Sequence, residues 1–120
     1  MKQAKIIEAY NAALQLSDCN ISEKEQWEVY KLRKALRSHY EYQVEREDAI
    51  REKYSSFIDE EGRINGKEAV EYLKDIREIE NLDVELEPFE KPIIVLTSGI
   101  TCKLMEQLED FIEFLPPTEE

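Results

Sequence analysis

The sequence predicts an α-rich α+β fold, in which a long central helix is packed by three shorter helices and a small two-stranded β element lies near residues 83–97. Three observations carry this expectation. Residues 22–58 contain neither Gly nor Pro, and apolar side chains recur along them at helical spacing. The chain of 120 residues holds only 3 Gly and 4 Pro among many Glu, Lys, Leu and Ile, a helix-forming composition. Residues 83–97 depart from the helical period, with a polar–apolar alternation followed by a β-branched apolar run. The length suits a single domain, expected over residues 1–115, with a flexible tail at 116–120.

The first helix is expected over residues 2–16. Ile6, Ile7, Tyr10, Ala13 and Leu14 fall at i, i+3, i+4 spacing there, and the turn at 17–20 ends it. The long helix opens with a capping box, in which Ser22 caps and Glu25, three residues on, reaches back to the backbone. At about 100° per residue, Val29, Leu32, Leu36, Tyr40, Val44, Ile50, Tyr54, Phe57 and Ile58 share one broad face. Gln43 and Glu47 interrupt that face, which predicts two packing surfaces, one for each half of the helix.

The turn at 59–66 has Gly62 for a positive φ and Asn65 to cap a third helix reaching to about Glu80. Ala69, Val70, Leu73, Ile76 and Ile79 are expected inward, folded antiparallel on the C-terminal half of the long helix. Residues 83–87 alternate as a first strand, and residues 92–97 are β-branched as a second. The two read as a hairpin that helices must cover to be stable. A last helix is expected from residues 97–99 onward, with Ile100, Leu104, Leu108, Phe111, Ile112 and Leu115 on one face, stopped by Pro116 and Pro117. The N-terminal half of the long helix should pack with the first and last helices.

Charge and cysteine usage narrow the function classes. The net charge of −12 disfavours generic binding to nucleic acid or to an anionic membrane. It suits solubility, or an acidic surface that meets a basic partner. Cys19 and Cys102 are far apart and form no C-x-x-C pair, so neither a disulfide scaffold nor a zinc site is expected, and reduced thiols in a cytoplasmic protein are. Glu8, Asn11 and Gln15 interrupt the apolar residues near the N-terminus, so no signal peptide is read there, and no apolar run approaches membrane-spanning length.

No catalytic, cofactor-binding or metal-binding constellation is expected. The turn around Gly62 resembles the second half of an EF-hand loop, with Asp59, Glu61 and Glu68 at ligand positions. Its first position is Phe57, where the ion needs a carboxylate, and a turn followed by a capped helix explains the same residues. His39, the single histidine, has no orienting carboxylate at helical reach. Walker, dinucleotide and nucleophile-elbow motifs are all missing from the sequence.

What remains is a candidate interface. Trp27, Tyr30 and Tyr42 lie away from the main apolar face of the long helix. Either a short helix covers them or they mark an oligomer or partner surface. Lys31, Arg33, Lys34 and Arg37 form the basic cluster of the chain, either a solvated face that balances nearby acids or a dock for an acidic segment. Lys31 and Lys34 join the three aromatics as the expected interface residues, and homo-oligomerisation is expected.

The order of features resembles that of a group of small phage and prophage proteins of unknown function. The features that carry the resemblance are Ala9-Tyr10-Asn11-Ala12 in the first helix, Tyr54 with the turn Asp59-Glu60-Glu61-Gly62, and the closing stretch from Leu104 to Ile112. The resemblance implies a virus- or prophage-encoded accessory or assembly protein and transfers no catalytic residue. The expected function is thus a non-enzymatic structural or assembly-type interaction protein without cofactor. The alternative is an acidic binding module or inhibitor that docks on a basic protein surface.

Overall fold

Helix α1 (Gln3–Ser17) runs into α2 (Glu23–Lys53), the spine of the computed structural model, which describes residues 1–117. Ser22 caps α2 as expected. Its hydroxyl accepts from Glu25 N–H at 3.2 Å, while Glu25 Oε1 accepts from Ser22 N–H at 2.9 Å. The helix ends at Lys53, short of the expected Ile58. A 3₁₀ turn at Ser55–Phe57 follows, and Arg51 and Lys53 occupy the last helical turn, where cations suit the dipole.

Two apolar clusters form along the spine, one on each side of Gln43. In the first, Val29, Leu32 and Leu36 of α2 meet Ile6, Ala9, Ala13 and Leu16 of α1. Leu104, Leu108 and Phe111 close this cluster. Tyr10 stacks on Tyr40 at 4.4 Å between ring centres, fixing how α1 lies on α2. Helix α1 is the most enclosed element, because α2 and the last helix cover it from different sides. That is why Ala9, Ala12 and Ala13 are all buried: small side chains let two neighbours approach one helix. Leu14, expected inward, is 39% exposed.

The second cluster is smaller, with Ile50, Tyr54 and Ile79 at its centre and Ile64, Tyr72 and Ile76 at its margin. It joins the end of α2 to α3 (Lys67–Glu80). The turn between them has Gly62 and Gly66 at φ +78° and +73°. Gly66 is the N-cap of α3, so Asn65 does not cap it, and no side chain does. Asp59 closes the turn by accepting from the N–H groups of Glu61 and Arg63. Of the residues expected inward on α3, Ile79 is buried, but Val70 and Leu73 are 68% and 50% exposed. Tyr72 replaces them, meeting Tyr54 edge-on at 5.7 Å.

The two-stranded element is present, with partners other than those expected. Strand β1 (Ile93–Val95) pairs in parallel with β2 (Glu113–Leu115), Ile94 opposite Phe114. Residues 83–87 form no strand. Their alternation records one-sided burial, with Val84 and Leu86 half-buried and the acids exposed. The backbone partner of this segment is the start of the chain. Val84 N–H donates to Met1 O and Gln3 N–H to Leu82 O, an antiparallel clasp around Lys2 and Asp83. Helix α4 spans only Cys102–Leu108, capped by Thr101, and packs on α1. Phe111 and Ile112 turn back onto the core, and the chain continues as β2 rather than as helix. Pro116 and Pro117 therefore follow a strand. The expected tail beyond them lies outside the described residues.

Candidate interaction surfaces

The outward face of α2 near its start carries the aromatic and basic residues singled out above. Trp27 is 58% exposed and Tyr30 36%, so no short helix covers them. Spaced i, i+3 on one helix, they stack at 5.5 Å between ring centres. The Arg33 guanidinium lies over the Tyr30 ring at 5.8 Å, extending the ladder by a cation–π contact. Lys31 pairs with Glu28 at 3.1 Å. Lys24, Arg33, Lys34 and Arg37 have no ion-pair partner among the described residues. Tyr42 does not join this face. It lies more than three turns further along α2 and lines a groove of about 380 Å³ with Arg46, Ala49, Lys53, Asp75 and Glu78.

The end of α2 and α3 make the second surface. Together they form a two-helix arm, and the molecule measures 60 × 31 × 19 Å. Arg51, Ile58, Ile64, Ala69, Tyr72 and Leu73 line an apolar groove of about 400 Å³, and exposed Val70 lines a separate one with Lys74, Arg77 and Leu82. Sequence reasoning missed both, because i, i+3 spacing places Val70 and Leu73 with the inward residues. The signal that separates them is the width of the stripe, broader than one neighbouring helix can cover.

Side-chain chemistry ties the arm together. Asp75 Oδ2 accepts from Tyr54 Oη at 2.8 Å and from Lys53 Nζ at 3.1 Å. These hydrogen bonds hold the Asp75 carboxyl below its ordinary range and raise both Tyr54 and Lys53. Elsewhere Lys5 pairs with Asp110, the hydrogen bond raising the amine and lowering the carboxyl, which ties α1 to the turn after α4. Burial pushes the Cys19 thiol up, and its Sγ donates to Gly99 O at 3.3 Å. His39 is half-buried, and its backbone carbonyl accepts from the fully buried Gln3 amide at 2.7 Å.

Among the described residues, no three His, Cys, Asp or Glu side chains converge to hold a metal ion. Nor is any described helix long and apolar enough to cross a membrane. No protein-family model, curated protein or solved structure matches the chain.

Proposed function

We infer that the chain is a non-enzymatic structural or assembly-type interaction protein that works by self-association. The observation that carries this reading is an excess of surface. The accessible area is 8427 Å², whereas a compact 14.2 kDa monomer exposes about 6,800 Å². The radius of gyration is 17.7 Å, against about 13.6 Å for a compact domain of this length. Such a shape leaves Trp27, Val70 and Leu73 in water, and oligomer contacts cover side chains of this kind. A cytoplasmic setting and a phage or prophage origin belong to the same reading, the second resting on the resemblance of the sequence features.

A variant carrying both Trp27→Ala and Tyr30→Ala tests it. The expected result is a helical spectrum and melting temperature close to the parent's, with self-association lost. If the variant unfolds, the two rings are core and the reading is wrong about this face.

A second reading is favoured by the exposed acids of residues 83–90. In it the chain is an acidic module that occupies a basic site on another protein. Salt-sensitive capture of a basic partner by a strictly monomeric chain would select it over the first.

A further inference from the structure

We propose that the basic, aromatic face at the start of α2 receives the acidic segment 83–90 of a second copy of this chain, an inference that rests on the self-association reading above. The charge distribution carries it. Acids outnumber bases 28 to 16 in the sequence. Even so, Lys24, Arg33, Lys34 and Arg37 gather on one stretch of α2 with no carboxylate within 4 Å among the described residues. What sets them apart is their closeness along one helix, since Arg46, Lys74, Arg77, Lys91 and Lys103 are unpaired among the described residues as well. The stacked Trp27–Tyr30 pair beside them supplies an apolar anchor of the kind that carries binding energy at interfaces.

The complement lies on the same molecule. Residues 83–90 run without helix or strand across the body, with Val84, Leu86 and Phe89 turned to the core and Asp83, Glu85, Glu87 and Glu90 exposed. Phe89 stacks on Phe111 at 6.1 Å and fixes which side of the segment faces out. Alternate residues of an extended chain recur roughly every 6.5 Å. Cations three or four apart on a helix recur at about 5–6 Å, so several pairs can form at once. Pro88, exposed in the middle of the segment, gives the indole an apolar surface to cover.

Within one chain the two surfaces meet at one end, where Lys24 and Glu90 line the same groove, but no ion pair joins them among the described residues. Val29, Leu32 and Leu36 on the opposite side of α2 point into the same cluster that receives Val84, Leu86 and Phe89. Lys34, Arg37 and the acids therefore face away from a shared core, while Arg33 flanks it, half-buried with its Nε enclosed. The ion pair of the segment among the described residues is Asp83 with Lys2, at 3.2 Å. Every copy carries both halves of the contact, so a two-fold pair makes it twice.

Charge reversal in both halves tests the proposal on the full chain. Lys34→Glu with Arg37→Glu makes one protein, and Glu85→Lys with Glu87→Lys the other. All four positions are exposed, and circular dichroism confirms that each variant keeps its fold. Sedimentation velocity at low salt is expected to show an associated wild type and at least tenfold weaker association for each variant. An equimolar mixture of the two should regain association. If both variants associate like the wild type, the proposal is wrong while self-association stands. A monomeric wild type removes the self-association reading and this proposal with it. If the mixture stays monomeric, the face serves another ligand and the second-copy assignment fails. It fails too, in favour of nucleic acid, if wild type binds a labelled single-stranded oligonucleotide and the Lys34→Glu, Arg37→Glu variant does not.

Discussion

Glu25 Oε2 accepts a hydrogen bond from Val95 N–H at 2.7 Å, joining the first turn of α2 to the outer edge of β1 across 70 positions of sequence. The same carboxylate closes the capping box through Ser22 N–H. One side chain thus satisfies a helix terminus and a strand edge, both of which otherwise expose unpaired donors.

Burial alone would raise the Glu25 carboxyl. The hydrogen bonds from Ser22 and Val95 outweigh it and hold the group below its ordinary value. A depressed folded value stabilises the protein above the unfolded pKa, about 4.3, and that stability is lost as pH falls through the folded value. Glu25→Gln is expected to cost about 1–2 kcal/mol at pH 7. The gap between variant and parent should close as the pH drops toward 3. Urea denaturation at both pH values checks this.

The two apolar clusters should respond differently to truncation. Leu36, fully buried among α1 and α2 residues, is expected to cost about 3–5 kcal/mol as Leu36→Ala, with loss of global stability. Ile79 belongs to a cluster with three buried members among the described residues. Ile79→Ala should cost about 2 kcal/mol and act mainly on the arm. Amide exchange should then quicken in α3 while α1 stays protected. Equal quickening in both helices would contradict a separable arm.

Gly62 and Gly66 both have positive φ, yet they should not be equivalent. A Cβ at Gly62 meets nothing within 4 Å, and at Gly66 only Glu68 Oε2 at 3.7 Å, so any cost is in the backbone. Gly66 has φ +73° and ψ −143°, outside the left-handed helical well that other residues can enter. Gly66→Ala is expected to lower stability by about 1–3 kcal/mol. Thermal melts should rank it as more damaging than Gly62→Ala.

Gln43 is 5% exposed at the junction between the clusters. Its amide donates to Glu47 Oε1 at 2.8 Å, while its own carbonyl oxygen makes no hydrogen bond within the described residues. Removing one partner of a hydrogen bond costs most when the other is left buried; here Glu47 is only half-buried and keeps access to water, while the unmet Gln43 oxygen is removed. Gln43→Leu is expected to change stability by between zero and about +1 kcal/mol, measured by urea denaturation.

How much of this was legible in the sequence depended on whether a signal was local. The Ser22–Glu25 box and the positive φ at Gly62 are local, and both were readable. So was the break at Gln43, because a polar residue on an apolar face interrupts packing whatever lies opposite. The partner of β1 was not readable. Alternation at residues 83–87 reports which side is buried, and the same pattern serves a paired strand and a segment clasped only at Met1 and Gln3. The early end of α4 was hidden because Phe111 and Ile112 keep helical spacing with Leu108 while turning into the core. At the candidate interface, exposure of Trp27 and Tyr30 could be decided only by knowing that α1 packs on the other side of α2 and that α4 packs on α1. Tyr42 shares their polar surroundings in sequence but lies in a different groove.

In the proposed assembly a second copy covers the face left open at the start of α2. Light scattering coupled to size exclusion, over concentrations up to about 1 mM, tests it most directly. The expected mass rises from 14.2 kDa toward twice that value and falls back when salt is raised, as screening of exposed charges requires. A mass of 14.2 kDa at every concentration and salt would contradict it.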